Sequence, residues 1–480
     1  MQEWVAEELG TSDLGDRRLD KRLVRLVDKA SRKPTLSIPA GCEGWSETIA
    51  AYRFFDNGKV TFEKILEPHV ASTLQRIQNH EVVLALQDTT ELDLTRPNRR
   101  VKDAGPMNWD ARWGFFLHPM LAATPEGVPL GIAGAEIWAR DSEEFARNQR
   151  DKKAREKKRK QQPIESKESR RWLKGYLQAC EIQARSPGVQ IVSVSDSESD
   201  IFECFAAGAR EDVPQKADFI VRGCQNRALV KEDPGQSSKL FDELASSKIL
   251  GKVELEVSKN ESKPNDGRKR KQPRSARRTT ASVQAGRLTL RAPHRKGEKL
   301  PDVEMNVVLV REIDPPKDEP PVEWVLLTSL PIGSLEEVCR VIEYYCVRWQ
   351  IEIYFRVLKS GCKAEDRQLE TADRYKPCLA LYMIVAWRVM YMMMLGRKCP
   401  EMPCDSVLSE DEWKAVYRIV KGEEPPRETP NLQKMVYMIA SLGGHLGRKS
   451  DGPPGPKTMW IGMQRMMDFA RAWRAFRVQA

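Results

Sequence analysis

The stretch VIEYYCVRWQIEIYFRVLKSG, residues 341–361, decides how the chain is read. It belongs to a helix expected to begin near Leu335. At about 100° per residue, Tyr345, Arg348, Glu352, Arg356 and Lys359 fall on one side, with Tyr345, Arg348, Glu352 and Lys359 in a stripe roughly 60° wide. Val347, Ile351 and Leu358 line a neighbouring apolar stripe that can pack on a sheet. One helix thus offers a carboxylate flanked by groups that suit an anionic backbone. The competing reading is a solvated face carrying an ordinary Arg–Glu pair at i,i+4.

Two other carboxylates stand in suggestive places. EVVLALQD (81–88) and VQIVSVSD (189–196) read as apolar strands ending in Asp88 and Asp196. Ligands of open α/β sheets gather at the C-terminal ends of strands. Carboxylates brought together there repel unless a cation lies between them, and hard divalent cations take oxygen ligands. Either Asp can also be a plain turn residue. Between the two strands, GFFLHPMLAAT (114–124) and VPLGIAGAEIWA (128–139) form a β-hairpin around Pro125-Glu126-Gly127, and 168–185 read as a helix. The order is strand, hairpin, helix, strand, helix. Asp200 and Glu203 suggest a capping box for the last of these. Five strand-like runs follow between about 217 and 330, interrupted by the basic segment DGRKRKQPRSARR (266–278). From Ser334 the chain is helical.

Tyr345, Arg348, Glu352 and Lys359 reproduce the spacing Tyr-x2-Arg-x3-Glu-x6-Lys, and with it the chain resembles DDE transposases of the insertion-sequence-4 type. The stretches LGDRRLDKRL, AYRFF, LALQDTT, SDSESDI, FIVR, PVEWVLLTS, RWQIE and IASLGG extend the resemblance over essentially the whole chain, in order. It implies a multidomain α/β protein: an RNase H-like mixed-sheet catalytic core (73–385) with a β-rich insertion at about 217–320, a helical DNA-end-binding domain (1–72) and a helical dimerisation domain (386–480). It further implies that Asp88, Asp196 and Glu352 are catalytic metal ligands for two Mg2+ ions, with Mn2+ able to substitute, about 3.5–4 Å apart. Tyr345, Arg348, Arg356 and Lys359 would hold DNA phosphates. Trp324 would stack on a base flipped from the duplex, where the residues by themselves read as a core Trp on the strand VEWVLL.

Composition is compatible with that picture. The chain has 480 residues, 79 Lys+Arg against 69 Asp+Glu, and a net charge of +10. A basic excess suits a nucleic-acid partner without requiring one. With 40% hydrophobic residues, wholesale disorder is excluded. Ten cysteines form no CxxC pair and only five His are present, which speaks against zinc. The start MQEWVAEELG has no secretory pattern, so a reduced, cytoplasmic protein is expected, and the resemblance implies one acting on the bacterial nucleoid. The most apolar run, Cys378–Leu395, contains Arg388 and reads as a buried helix rather than a membrane span.

Near the N-terminus, Ser12 or Asp13 is expected to cap a helix over Leu14–Ala30, with Leu19, Leu23, Leu26 and Ala30 on its apolar face. Arg18, Arg22, Arg25 and Lys29 form a basic stripe, the candidate for DNA-end binding, and Trp45–Asn57 is a second helix. The run DKKAREKKRK (151–160) reads as a solvated loop or helix start. Met390–Leu395 and QKMVYMIASLGG (433–444) are expected at a dimer contact. His118 reads as structural, and Cys339, Cys346 and Cys362 are given no chemistry.

The resemblance implies a cut-and-paste transposase. It would bind terminal inverted repeats as a homodimer, nick, pass through a DNA hairpin and join 3′-hydroxyl ends to target DNA. Alternatives are a catalytically silent end-binding inhibitor or domesticated relative, and a nuclease that only hydrolyses DNA.

Overall fold

The computed structural model describes residues 2–42, 44–96, 100–107, 111–150, 162–209, 215–231, 238–257, 274–295 and 299–477. The run 151–160 and residues 266–273 of the second basic segment lie outside them.

Five helices open the chain: α1 (Glu3–Glu8), α2 (Arg17–Arg32), α3 (Ile38–Gly41), α4 (Trp45–Phe55) and α5 (Phe62–Ile77). The cap of α2 is Asp16, whose side chain accepts from Arg18 N, rather than Ser12 or Asp13. Asp13 instead closes a turn on Gly15 N, and Asp20 accepts from Leu14 N, so the helix starts three residues later than expected.

The strands are β1 (Val82–Gln87), β2 (Thr90–Asp93), β3 (Gly105–Pro106), β4 (Trp113–Ala123), β5 (Pro129–Trp138), β6 (Gln190–Ser195), β7 (Asp218–Gly223), β8 (Ile249–Val257), β9 (Arg277–Leu290), β10 (Val303–Glu312) and β11 (Glu323–Thr328). They form one sheet. Its centre runs β5-β4-β1-β6-β7, antiparallel in the hairpin and parallel across β1, β6 and β7. The expected insertion is a continuation of this sheet: β11 pairs with β7, and β10, β9 and β8 extend it. Leu84 and Leu86 face one core and Val83 and Ala85 the other. Burial on both faces explains the unbroken apolar run of β1.

Between the hairpin and β6 lie α6 (Ser142–Arg150) and α7 (Arg170–Arg185); α8 (Phe202–Ala209) follows β6 and α9 (Leu240–Ser246) precedes β8. The capping box expected at Asp200 does not form. The Asp200 carboxylate accepts from Cys224 N, Gln225 N and Arg227, while Glu203 pairs with Arg295.

The helical remainder comprises α10 (Leu335–Val347), α11 (Trp349–Arg356), α12 (Ala372–Lys398), α13 (Glu410–Lys421), α14 (Leu432–Leu442) and α15 (Pro456–Arg477). A capping box, Ser334 with Glu337, starts α10. Among the described residues α12 alone is long and apolar enough to cross a membrane, and 94% of its most apolar window is buried inside the protein. The boundary expected at 385/386 falls inside this helix. Met390, Met392, Met393, Met435, Val436 and Ile439 are all buried, so the apolar faces of Met390–Leu395 and 433–444, expected at a dimer contact, pack inside the monomer because α12 and α14 turn them towards each other; Gln433, Lys434 and Tyr437 of α14 remain exposed.

A buried polar junction ties the N-terminal helices to the sheet. Ile132 N–H donates to His69 Nε2 at 2.9 Å, so the ring proton sits on Nδ1 and goes to Glu8 Oε1 at 2.6 Å. Arg76 completes the Glu8 carboxylate through two bonds of 2.9 Å. Burial acts to raise the Glu8 carboxyl, yet His69 and Arg76 hold it below its ordinary value.

Candidate active site

Asp88 and Asp196 follow the last residues of two adjacent parallel strands. The register that pairs Leu86 with Val194 brings Asp88 level with Asp196, two residues further along each strand. Each carboxylate is gripped by its own chain. Asp88 Oδ1 accepts from Thr89 N at 2.7 Å, and Asp196 Oδ1 accepts from Glu198 N at 2.9 Å. Glu352, on α11, faces them across Arg348. The Arg348 guanidinium donates through Nη1 to Asp88 Oδ2 at 2.8 Å, and its Nη2 lies 3.8 Å from Glu352 Oε1.

The three carboxylates act on one another electrostatically. The Asp88 carboxyl is pushed up to about 7 by burial, then by the charge of Asp196, with Arg348 opposing and Glu352 adding to the rise. Among the described residues no three acidic, His or Cys groups are already closed into a metal cage. Arg348 lies against two of the carboxylates instead. The oxygen-only donor set and its excess negative charge nevertheless fit a hard divalent cation.

Arg348 and Glu352 join Asp88. Tyr345 is buried, with Trp324 of β11 edge-on at 5.5 Å between centroids. Burial, opposed by Arg348, raises the Tyr345 hydroxyl. Trp324 is therefore half-buried against α10, neither fully core nor free. Lys359 lies in the π-helical turn Val357–Gly361 that follows α11. Lys359 Nζ lies 3.4 Å from Glu365 Oε1, which also accepts from Asp93 N at 2.9 Å. Arg356 is exposed.

On α2, Arg18 and Arg25 are exposed, Arg22 is half-buried, and Lys29 is ion-paired with Glu47 of α4. Sequence reasoning missed Thr89, Arg171 and Glu198, which support the two aspartates; only the chain neighbours of Asp88 and Asp196 could have pointed to them.

A mixed sheet ordered in this way, with acidic residues on its central strand ends and on a following helix, defines an RNase H-like protein. Family profiles agree. Residues 1–60 match a transposase DNA-binding domain, 141–384 the transposase DDE domain, and 384–479 the Tn5 transposase dimerisation domain. The DDE match spans just over half of the chain, and the chain belongs to the DDE transposase family in a Tn5-like arrangement. Asp196 and Glu352 lie inside that match, whereas Asp88 lies before it. Among solved structures, the chain is similar to a piggyBac transposase in a synaptic complex with hairpin DNA. Identity is 11% and the TM-score 0.35, over 87% of this chain and 58% of the other.

Proposed function

We propose that the protein is a cut-and-paste DNA transposase whose cleavage centre is Asp88, Asp196 and Glu352. The observation that carries this is the level placement of Asp88 and Asp196 on parallel strand ends, with Arg348 bridging Asp88 to Glu352. The three carboxylates would hold divalent cations, most simply Mg2+. Such cations, when bound, activate a water or a DNA 3′-hydroxyl and stabilise the leaving oxygen.

The chain's own groups do the rest. Arg348 exchanges its carboxylate partners for a DNA phosphate, a charge-assisted and potentially bidentate contact. Tyr345 orients Arg348 from behind. Lys359 would reach phosphate by leaving Glu365. Trp324 offers an aromatic edge for an unstacked base, which supports the hairpin pathway. Arg18, Arg22, Arg25 and Lys29 supply positive charge for terminal-repeat DNA.

Pairing of two ends calls for a dimer. The apolar groove of about 420 Å³ between α13 and α15 suits it, because Ile419 and Phe476 stand exposed there beside Phe469 and Trp473. The test is strand transfer: the protein, Mg2+, a terminal-repeat duplex and plasmid should give joined donor–target products, and Asp196→Ala should give none. Joined products from Asp196→Ala would overturn the assignment. Binding without products from the native chain would favour a silent end-binding protein.

A further inference from the structure

Arg171, at the start of α7, is withdrawn from solvent and spends its donors inward. Its Nε donates to Thr89 Oγ1 at 2.8 Å, Nη1 to Glu168 O at 3.0 Å, and Nη2 to Glu198 Oε2 at 2.7 Å. Its guanidinium lies between the rings of Trp138 and Trp172, at 5.6 and 5.4 Å. The two side chains it grips are not arbitrary. Thr89 and Glu198 are the residues whose backbone N–H groups hold Asp88 Oδ1 and Asp196 Oδ1. One planar fork therefore joins the two turns that aim the two aspartates.

The network continues beneath α7. Thr89 Oγ1 lies 3.0 Å from His118 Nδ1, and His118 Nε2 lies 3.4 Å from Gln87 Oε1. Gln87 Nε2 donates to Ser193 Oγ at 2.8 Å, crossing from β1 to β6. The two strands are thus linked twice on the α7 side, by Arg171 between Thr89 and Glu198 and by Gln87 on Ser193.

We propose that Arg171 is a positioning residue: by bridging Thr89 and Glu198 it sets the spacing and orientation of the Asp88 and Asp196 carboxylates. The inference rests on the metal-site reading given above. It separates Arg171 from the phosphate contacts, because each of its nitrogens already has a partner inside the protein. Groups that orient metal ligands from behind typically contribute 10–100-fold in metal affinity or activity.

The experiment titrates Mn2+ into the full-length free protein at pH 8, followed by electron paramagnetic resonance, and measures terminal-repeat binding separately at several salt concentrations. Arg171→Gln should weaken Mn2+ binding about tenfold while end affinity and its salt slope stay within twofold. Arg171→Lys keeps the charge and reaches only one of the two partners, so it should fall between, and it keeps the test informative if Arg171→Gln does not fold. Unchanged Mn2+ binding in both variants would overturn the positioning role. So would a uniform loss of DNA affinity with a shallower salt slope, the mark of a phosphate contact. A native chain that takes up no Mn2+ contradicts the metal site itself and the positioning role with it. A native chain that binds Mn2+, loses it in Arg171→Gln and cleaves no DNA supports the positioning role and counts against the transposase reading.

Discussion

Arg348 Nη1 lies 2.8 Å from Asp88 Oδ2, so the residue joining α10 to α11 supplies a built-in cation to the aspartate that follows β1. A phosphate would take Arg348 and a divalent cation Asp88, so Arg348 and the cation compete for the carboxylate. DNA drawing Arg348 away frees Asp88 for metal. Replacing Arg348 by Ala should therefore tighten Mn2+ binding to the DNA-free protein at pH 8, by about tenfold for a charge-assisted bond removed. DNA cleavage should fall at the same time. Isothermal titration of Mn2+ reads the first effect, and weaker Mn2+ binding in Arg348→Ala would contradict the competition. Because burial and Asp196 hold the Asp88 carboxyl at about 7, cation uptake by the native protein should weaken as pH falls below 7, when a proton must first be displaced.

Trp324 packs edge-on against Tyr345 and is only half-buried. Trp324→Ala should leave the first nick intact and reduce hairpin formation by about tenfold, equivalent to one lost stacking contact. Denaturing gels of end-labelled strands separate the two steps. Equal loss of nicking and hairpin would mean that the ring only supports the helix.

His118 is pushed down to about 3 by burial and by Arg171. Its folded value thus lies below its ordinary 6.5, so the unfolded chain takes up a proton that the folded chain refuses. Stability is fully present above 6.5 and is lost as pH falls; by pH 5 the loss is about 2 kcal/mol from this residue. His69, buried against Glu8, acts in the same direction. Melting curves from pH 7 to pH 5 should show a shallower decline for His118→Gln than for the native protein. Parallel curves would contradict this.

The groove between α13 and α15 and the core of α12 should respond in opposite ways. Phe476→Glu alters an exposed ring and should leave stability within about 0.5 kcal/mol while blocking dimer formation on DNA, as read by sedimentation. Met392→Ala opens a cavity in a buried position and should cost about 2–5 kcal/mol, as read by chemical denaturation. A dimer that survives Phe476→Glu would place the contact elsewhere.

Strands such as 82–87 and 190–195 were legible because burial on both faces leaves a continuous apolar run, and register then fixes Asp88 beside Asp196. The helix carrying Arg348 and Glu352 was legible from its 3.6-residue phase. The π-helical turn that holds Lys359 was not, because it has no signature in that phase. Exposed and buried apolar faces also look alike in sequence. Met390–Leu395 reads as sticky whether it meets a partner or its own sheet, and only packing shows that it is core. Arg171 was invisible for a related reason: its partners lie 82 and 27 residues away along the chain.

The most direct test of the cleavage centre is a magnesium-dependent assay on a duplex carrying the element's terminal repeat, with labelled strands resolved on a denaturing gel. The native protein should yield a nick and then a hairpin only when Mg2+ is added, and Glu352→Gln should bind the duplex and yield neither. Cleavage by Glu352→Gln at the native rate, or native cleavage in the presence of a chelator, would contradict a centre built on Asp88, Asp196 and Glu352.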